Sequence, residues 1–464
     1  MTPADSTAAS ALPRASACPG LVRIVAARDG GLCRIRLPGG ALDAAQARAI
    51  AAVAERDGSG AIEATNRANL QLRGVRAGRE AAVTRALRDA GLGPRVADDA
   101  DDACVAARDD VRNLLLSPTA GRDPHALLDS AALAGPLLAM LQSEQRLAAL
   151  SPKFSLLLDG GERLAALDHP HDLWLSALLD ARGERWLAVG LAGCPPRAGA
   201  PDARPALAAI RPEHACAFTH ALLCAFVALA PPDVTRMRAL LARESAEALL
   251  AHAAAHTPHT WRRDPELHAW RRPDPDLARR FGIHPEHTPD TCHVGAQAPL
   301  GRLDAAGLRA LAGLAAQDGD GTLRITPWQG VLLPGVPRAA AGRVLARLHA
   351  LGFACDPAQP LAHLVACAGS AGCARALADT KQDARQLAAR LARARDVHLS
   401  GCARSCALPH PAAHTLLAAS PGHYDLYRRD GTTGFGRVLA RHLTIDQAAL
   451  HLDGAGQLQD FTDA

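Results

Sequence analysis

Apolar and polar positions follow one order along this chain, and that order occurs twice. An apolar strand, Cys33-Arg-Ile-Arg-Leu-Pro-Gly-Gly40, leads into a stretch at 43–55 whose apolar residues recur three and four apart. That spacing predicts a packed amphipathic helix. A turn at Asp57-Gly58 then precedes Ala61-Ile-Glu-Ala-Thr-Asn-Arg-Ala-Asn-Leu-Gln-Leu-Arg-Gly74, which reads as a strand, a polar break and a second strand. The order returns with Ala298-Pro-Leu-Gly-Arg-Leu303, a helical stretch at 304–316, a turn at Asp318-Gly319, and Thr322-Leu-Arg-Ile-Thr-Pro-Trp-Gln-Gly-Val-Leu-Leu-Pro-Gly335. In this alignment Gln329 takes the repeat position of Gln71, and Arg324 lies near that of Arg67.

A longer mixed region follows each copy. Strands are expected at Phe154-Ser-Leu-Leu-Leu-Asp159 and Trp186-Leu-Ala-Val-Gly-Leu191, with helices over 126–150, 234–255 and 374–395. The pattern gives an α+β chain in six parts: an Ala/Ser/Pro-rich disordered tail at 1–17, a small unit at 18–85, and an α/β region at 100–250. A Pro-, Arg- and His-rich linker at 251–290, a second small unit at 291–350 and a second α/β region at 355–464 complete it. Such a duplication builds a pseudo-twofold core with a site where the halves meet.

Length and composition agree. The 464 residues exceed one ordinary core, and 48% hydrophobic with 21% charged residues is usual for a folded globular chain. No run of about 18 consecutive apolar residues suggests a membrane span. Residues 1–17 lack the basic start and apolar core of a signal peptide. A cytoplasmic protein is expected. The net charge of +4 does not point to nucleic acid. Lysine occurs only at Lys153 and Lys381; the other cations are arginine, with histidine aside. No Gly-x-Gly-x-x-Gly follows a strand, so a nicotinamide would act through a separate reductase.

Of 12 cysteines, eight are scattered (18, 33, 104, 194, 216, 224, 292 and 355) and read as small buried hydrophobes. The other four form two close pairs, Cys367-x5-Cys373 and Cys402-x3-Cys406, 28 residues apart. Four thiolates so arranged suit a cubane cluster or a tetrahedral ion. Zinc knuckles space their pairs two to four apart, which the first pair exceeds. Gly369, Gly372 and Gly401 suit close backbone approach and amide donors to inorganic sulfur. From spacing alone an iron–sulfur cluster, zinc and no metal all stay open.

Together with Ser400-Gly-Cys-Ala-Arg-Ser-Cys406 and Thr380-Lys381, the cysteine pattern resembles the nitrite and sulfite reductase hemoproteins. Thr65-Asn-Arg-Ala-Asn-Leu-Gln71 resembles their Thr-x-Arg-x-x-x-Gln segment. Arg112-Asn113 and Pro152-Lys153-Phe154 fall where those proteins carry basic residues lining the anion and tetrapyrrole pocket. The resemblance runs from Cys18 over nearly the whole chain. It implies two ferredoxin-like half-domains, two larger α/β domains, and a [4Fe–4S] cluster on Cys367, Cys373, Cys402 and Cys406, beside siroheme in the reductases.

One position departs from the reductases. They carry a further lysine two residues after the match to Lys153, and here that residue is Ser155. Loss of a cation weakens a site for sulfite or nitrite. Val294-Gly-Ala-Gln-Ala-Pro-Leu-Gly-Arg302, Val397-His-Leu-Ser-Gly-Cys402, Cys406-Ala-Leu-Pro-His410-Pro and Tyr424-Asp-Leu-Tyr427 resemble the precorrin-3B synthases. That resemblance implies oxygen-dependent hydroxylation of precorrin-3A at C-20 with γ-lactone formation, in aerobic cobalamin biosynthesis. Electrons come from an NADH-linked or ferredoxin-type donor, and a mononuclear non-heme iron is associated with the family. Candidate substrate contacts are Arg67, Gln71, Arg112, Lys153 and Arg324. His293, His398 and His410 are the nearest candidates for an iron ligand, while the linker histidines 252, 256, 259, 268, 284 and 287 read as solvated. A siroheme reductase and a non-catalytic electron carrier or tetrapyrrole-binding protein are the alternatives.

Overall fold

Two aspartates start the repeated helices. The Asp43 carboxylate accepts from the Gln46 amide at 2.7 Å, and Gln46 reaches back to the Asp43 amide ahead of the helix Ala44–Asp57. Asp304 caps the Gly307 amide at 2.6 Å ahead of Ala305–Asp318. Both helices turn Ala, Leu, Ile and Val inward, including Ile50 and Val53 in the first and Leu308 and Leu311 in the second. The computed structural model describes residues 18–97, 99–199 and 204–454. The tail expected at 1–17 lies outside them.

The chain divides into two compact units. One takes the chain up to Arg23 with Gly93–Gly121 and His125–Pro275; the other takes Ile24–Leu92, Arg122–Pro124 and the chain from Asp276. The second unit contains both copies of the short repeat. Each copy builds a five-stranded antiparallel sheet, and each borrows a strand from the other. Gly30–Ile35, Leu70–Val75 and Ala61–Ala64 are joined at one edge by Arg302–Asp304 of the second copy. In return Ala41–Asp43 pairs with Thr322–Ile325, beside Gly330–Pro337, Thr291–Gln297 and Gly282–Pro285. A sharp turn precedes each donated strand. At Gly40, with φ +69°, a Cβ would lie 2.0 Å from the Ile325 carbonyl oxygen, so only glycine fits.

The two larger sheets have the same order. In the first unit Leu114–Leu116, Leu156–Asp159 and His171–Leu179 run parallel, and Arg185–Gly193 and Ala208–Ile210 follow antiparallel. In the second unit Leu364–Ala366, Val397–Ser400 and His414–Ser420 run parallel, with His423–Arg428 and Arg437–Leu443 antiparallel. The architecture is therefore the duplicated α+β one that the repeats predicted.

Four elements differ from the sequence reading. The helix expected over 374–395 is confined to Thr380–Arg390. The helix expected over 126–150 stops at Ser143, and Gln145–Ala149 continues as a tighter helix. The expectation over 234–255 resolves into Met237–Leu240 and Ala246–Ala254, broken before the Ser245 cap. The supposed linker at 251–290 is folded: Gly282–Pro285 is a sheet strand, and Arg272 is buried on Asp159. A Pro-rich segment looked solvated because its anchor, one arginine, is indistinguishable in sequence from surface arginines. The apolar segment Pro212–Leu229 is long enough to cross a membrane, yet its Phe218, Ala221, Leu222 and Leu223 lie in the core of the first unit.

Arg272 grips Asp159 through two parallel bonds, Nε to Oδ2 at 2.7 Å and Nη2 to Oδ1 at 3.0 Å. Both side chains are almost wholly buried. Arg272→Ala is expected to lose about 3–5 kcal/mol in denaturant melts, because Asp159 stays buried without its partner. The double change Arg272→Met, Asp159→Leu should recover most of it, and equal loss in both proteins would contradict the pairing.

Candidate metal centre

Four thiols converge in the second large domain. Cys367 follows the strand Leu364–Ala366 and Cys373 closes the helical turn Gly369–Gly372, while Cys402 and Cys406 follow the strand Val397–Ser400. The two strands are parallel neighbours, so both loops leave one end of the sheet. Burial pushes the Cys406 thiol above its ordinary range, and Cys402, Cys367 and Cys373 push it the same way. The four sulfurs therefore share one locality.

Donors already face this locality. The Gly401 amide donates to Cys367 Sγ at 3.2 Å. The Thr380 hydroxyl lies 3.5 Å from the same sulfur while donating to the Cys367 carbonyl at 2.9 Å. A Cβ at Gly401 would meet Ala376 Cβ at 2.5 Å, so glycine is what permits the approach. Bonds of this kind orient and stabilise metal-bound sulfur. One zinc ion would need its sulfurs under about 4 Å apart. Among the described residues, the groups of three ligand atoms within 4.8 Å of one another do not include three of these sulfurs. The wider quartet suits a multi-iron cluster.

Cations flank the quartet, Lys381 from its own domain and Arg73 from the first half-domain. Lys381, the residue after Thr380, donates to the Leu300 carbonyl at 2.6 Å and sits 3.7 Å from Glu63. Arg73 holds the Gly372 carbonyl inside the first cysteine loop at 2.8 Å and is clamped by Asp29 at 2.8 Å. Burial pushes the Glu63 carboxyl up, but Lys381, Arg73 and Arg302 outweigh it and hold it below the carboxylate range. Sequence singled out Lys381 by rarity; it gave no sign of Arg73 or Glu63, whose bonds to Gly372 and Arg302 join residues hundreds of positions apart.

The repeat loops touch the second cysteine pair. Asn66 donates to the Cys406 carbonyl at 3.3 Å, and Gln329 to the Ala407 carbonyl at 3.1 Å. Their alignment corrects the sequence reading. The Thr65 amide bonds the Asn69 carbonyl and the Thr326 amide the Gly330 carbonyl, and the Ala68 and Gln329 amides return to those threonines. Gln329 thus matches Ala68, both at positive φ, and does not match Gln71. Arg324 matches Glu63 in the preceding strand, and Trp328 takes the place of Arg67. The two loops are equal in length, Thr65 to Asn69 and Thr326 to Gly330, and the sequence alignment slipped because it paired the two glutamines by residue type.

The remaining candidates are spread over the fold. Arg67 is half-buried in its loop and Gln71 is half-buried on Leu70–Val75. Arg324 donates to the Thr322 hydroxyl at 3.1 Å and the Leu323 carbonyl at 3.0 Å, so its guanidinium turns back along its own strand. Arg112 and Lys153 belong to the first unit, Arg112 beside Asp109 at 3.1 Å and Lys153 exposed. Ser155 is buried, with its amide donating to Asp172 at 3.0 Å.

The first large domain repeats this geometry without thiols. Asp129 and Asp379 cap corresponding helices, so Ser130 matches Thr380; likewise Ser117 matches Cys367 and Gly160 matches Gly401. Here the Gly160 amide donates to the Glu162 carboxyl at 2.8 Å, and Ser130 donates to the same group. Burial, helped by the Asp159 charge, pushes Glu162 up to about 8. A neutral carboxyl thus occupies the donors that sulfur occupies in the other copy.

Histidines proposed as ligands are mostly interior. Burial pulls His398 down to about 4 and His293 to about 3, so both are neutral imidazoles near pH 7. Unforeseen from sequence is His169, buried and oriented through Nδ1 by Asp168 at 2.8 Å. Metal-binding histidines are commonly oriented this way.

A profile of the nitrite/sulfite reductase ferredoxin-like half domain matches residues 26–90 and 284–351. A profile of the nitrite and sulphite reductase 4Fe-4S domain matches 107–260. A precorrin-3B synthase of Sinorhizobium sp is 30% identical over 416 residues, spanning 88% of this chain and 82% of its own length. The chain belongs to the nitrite/sulfite reductase superfamily. A chloroplastic ferredoxin–nitrite reductase of Zea mays is 30% identical over 81% of this chain and 67% of its own. One from Synechococcus elongatus is 29% identical over 86% and 77%. The structure of Mycobacterium tuberculosis NirA shares the fold, at a TM-score of 0.70 and 20% identity over 91% of this chain and 79% of that one. Superfamily membership makes the protein an oxidoreductase of a 4Fe–4S family.

Two expectations follow. Cys402→Ser and Cys406→Ser should each remove the brown cluster absorbance and the bound iron; a variant with full iron content would show that its thiol is no ligand. The second concerns acid. A histidine at 6.5 when unfolded and about 3 when folded stabilises fully above 6.5, and loses that contribution as pH falls toward 3. His293→Gln should therefore flatten the stability slope below pH 6.5 by up to one proton, about 1.4 kcal/mol per pH unit. An unchanged slope in denaturant melts at pH 5.5 and 7.5 would contradict a buried neutral His293.

Proposed function

We propose that this protein is a cytoplasmic precorrin-3B synthase, hydroxylating precorrin-3A at C-20 with dioxygen and closing a γ-lactone from a ring-A acetate. The observation that carries the reading is Ser155, a buried neutral residue where the reductases carry a cation. The match to a precorrin-3B synthase over most of both lengths supports it.

Cys367, Cys373, Cys402 and Cys406 are the residues to hold the [4Fe–4S] cluster, which when bound supplies electrons singly. Lys381 and Arg73 place positive charge beside it. The substrate is a flat apolar ring edged with carboxylates, a partner for guanidinium and ammonium groups. Arg67, Arg112, Lys153 and Arg324 are the cations assigned to it, with Gln71 as a hydrogen-bonding neighbour. Dioxygen chemistry calls for a mononuclear iron in addition; the neutral imidazoles of His398 and His293 are in the protonation state such an ion requires, and His169 is oriented by Asp168 as metal-binding histidines commonly are. Electrons arrive from an NADH-linked or ferredoxin-type donor.

The nitrite reductase relatives and Thr65-x-Arg67 favour a second reading, a siroheme-dependent nitrite or sulfite reductase. The optical spectrum with metal analysis separates the two. A broad brown shoulder with iron beyond four per chain is expected. Strong siroheme bands in the purified protein would overturn the synthase reading. Reconstituted protein given precorrin-3A, reductant and labelled dioxygen should place label in the corrinoid. No label would leave a carrier or tetrapyrrole-binding protein. Arg67→Ala should weaken precorrin-3A binding about 10- to 100-fold, the worth of one charged hydrogen bond, with the cluster spectrum intact; unchanged affinity would remove Arg67 from the site.

A further inference from the structure

Met140, Ser143, Glu144, Gln145 and His220 line a cleft of about 430 Å³ in the first unit. Three side chains of different ligand chemistry converge beside it. The helix Ala215–Leu229 sets His220 and Cys224 one turn apart, on one face. Glu144 follows the helix Ser130–Ser143 and meets them. His220 Nε2 lies 2.7 Å from Glu144 Oε2 and 3.5 Å from Cys224 Sγ. The three ligand atoms all lie within 4.8 Å of one another.

A catalytic relay uses the two imidazole nitrogens for different partners. Here both partners address Nε2. One proton on that nitrogen serves only one of them well, whereas a cation among the three serves all. We propose that Glu144, His220 and Cys224 form a divalent-metal site selective for zinc, with a fourth position open to the cleft. One carboxylate, one imidazole and one thiolate suit zinc's borderline softness, whereas non-heme iron favours two imidazoles and a carboxylate. Zinc bonds of about 2.0–2.3 Å set neighbouring ligand atoms roughly 3.3–3.8 Å apart; the His220–Cys224 pair at 3.5 Å already fits, and the His220–Glu144 pair at 2.7 Å opens slightly to admit the ion.

The surroundings fit this role. Arg146 holds both oxygens of Glu144, Nε to Oε1 and Nη2 to Oε2, each at 3.0 Å, which fixes the carboxylate. Burial raises the Cys224 thiol; Arg146 works against that rise and the Glu144 charge adds to it. Metal binding displaces the remaining proton. Cys216 lies two turns before Cys224 on the same helix, with Sγ donating to the Pro136 carbonyl at 3.7 Å, and serves as a control. The site shares no residue with the cysteine quartet and does not rest on the synthase reading.

The test is zinc retention by the cluster-loaded protein. The full chain is incubated with zinc, desalted, and its zinc and iron are measured by plasma mass spectrometry, with a colorimetric chelator giving affinity by competition. One zinc per chain is expected, together with a zinc-dependent rise in melting temperature. His220→Ala, Cys224→Ser and the isosteric Glu144→Gln should each weaken binding on the order of 100-fold or more. Cys216→Ala should not, and iron content should be unchanged throughout. Variants are scored only when their zinc-free melting matches wild type, and Glu144→Gln, the mildest change, keeps the test open if the others misfold. No zinc on the wild type, equal zinc on the Glu144 and His220 variants, or iron in place of zinc would overturn the assignment.

Discussion

Glu63 is a buried carboxylate, and much of the second unit is arranged to keep it charged. It sits on a central strand opposite Arg302, the first residue of the donated strand Arg302–Asp304, which pairs with it at 2.8 Å. Lys381 comes from the helix that follows the first cysteine pair, and Arg73 from the neighbouring strand. A buried carboxylate without such partners would lose its proton only at great cost. The strand exchange, the docking of the cysteine domain and the grip on the Gly372 carbonyl are therefore one electrostatic arrangement. Lys381 also ties down Leu300, a non-glycine residue at φ +52° in the turn before the donated strand. The copy in the first repeat needs no such tie, because glycine stands there.

Duplication gave two large domains with one sheet order but different chemistry at the loop ends. In one, sulfur accepts the Gly401 amide; in the other, the Glu162 carboxyl accepts the Gly160 amide. The second arrangement is closed by the Arg272–Asp159 pair, supplied from a segment that reads as linker. Two copies of a scaffold can diverge this way because the strands and capped helices set the positions, while single side chains at the loop ends set what is bound.

The duplication and the cysteine quartet were legible because they are local. Period, capping aspartates and turn residues sit within a few positions of one another, and the two cysteine pairs flank strands recognisable as apolar runs. What failed was register and reach. Gln329 was matched to Gln71 by residue type, and the true register emerges only when the backbone bonds of Thr65 and Thr326 are compared. Arg272 and Arg302 looked like any other arginine in an arginine-rich chain. His169, held by Asp168, carried no motif at all.

Sequence alone determined the class of fold, the repeat, the four thiols and the rarity of Lys381, since each follows from residue type and short spacing. Tertiary structure decided which strand completes which sheet, which cations neutralise Glu63, and that the loops of both repeats close on the second cysteine pair. Those outcomes depend on contacts between residues as much as about 340 positions apart, as from Asn66 to Cys406. Such contacts arise from burial and charge pairing after the chain has folded, and no local pattern encodes them.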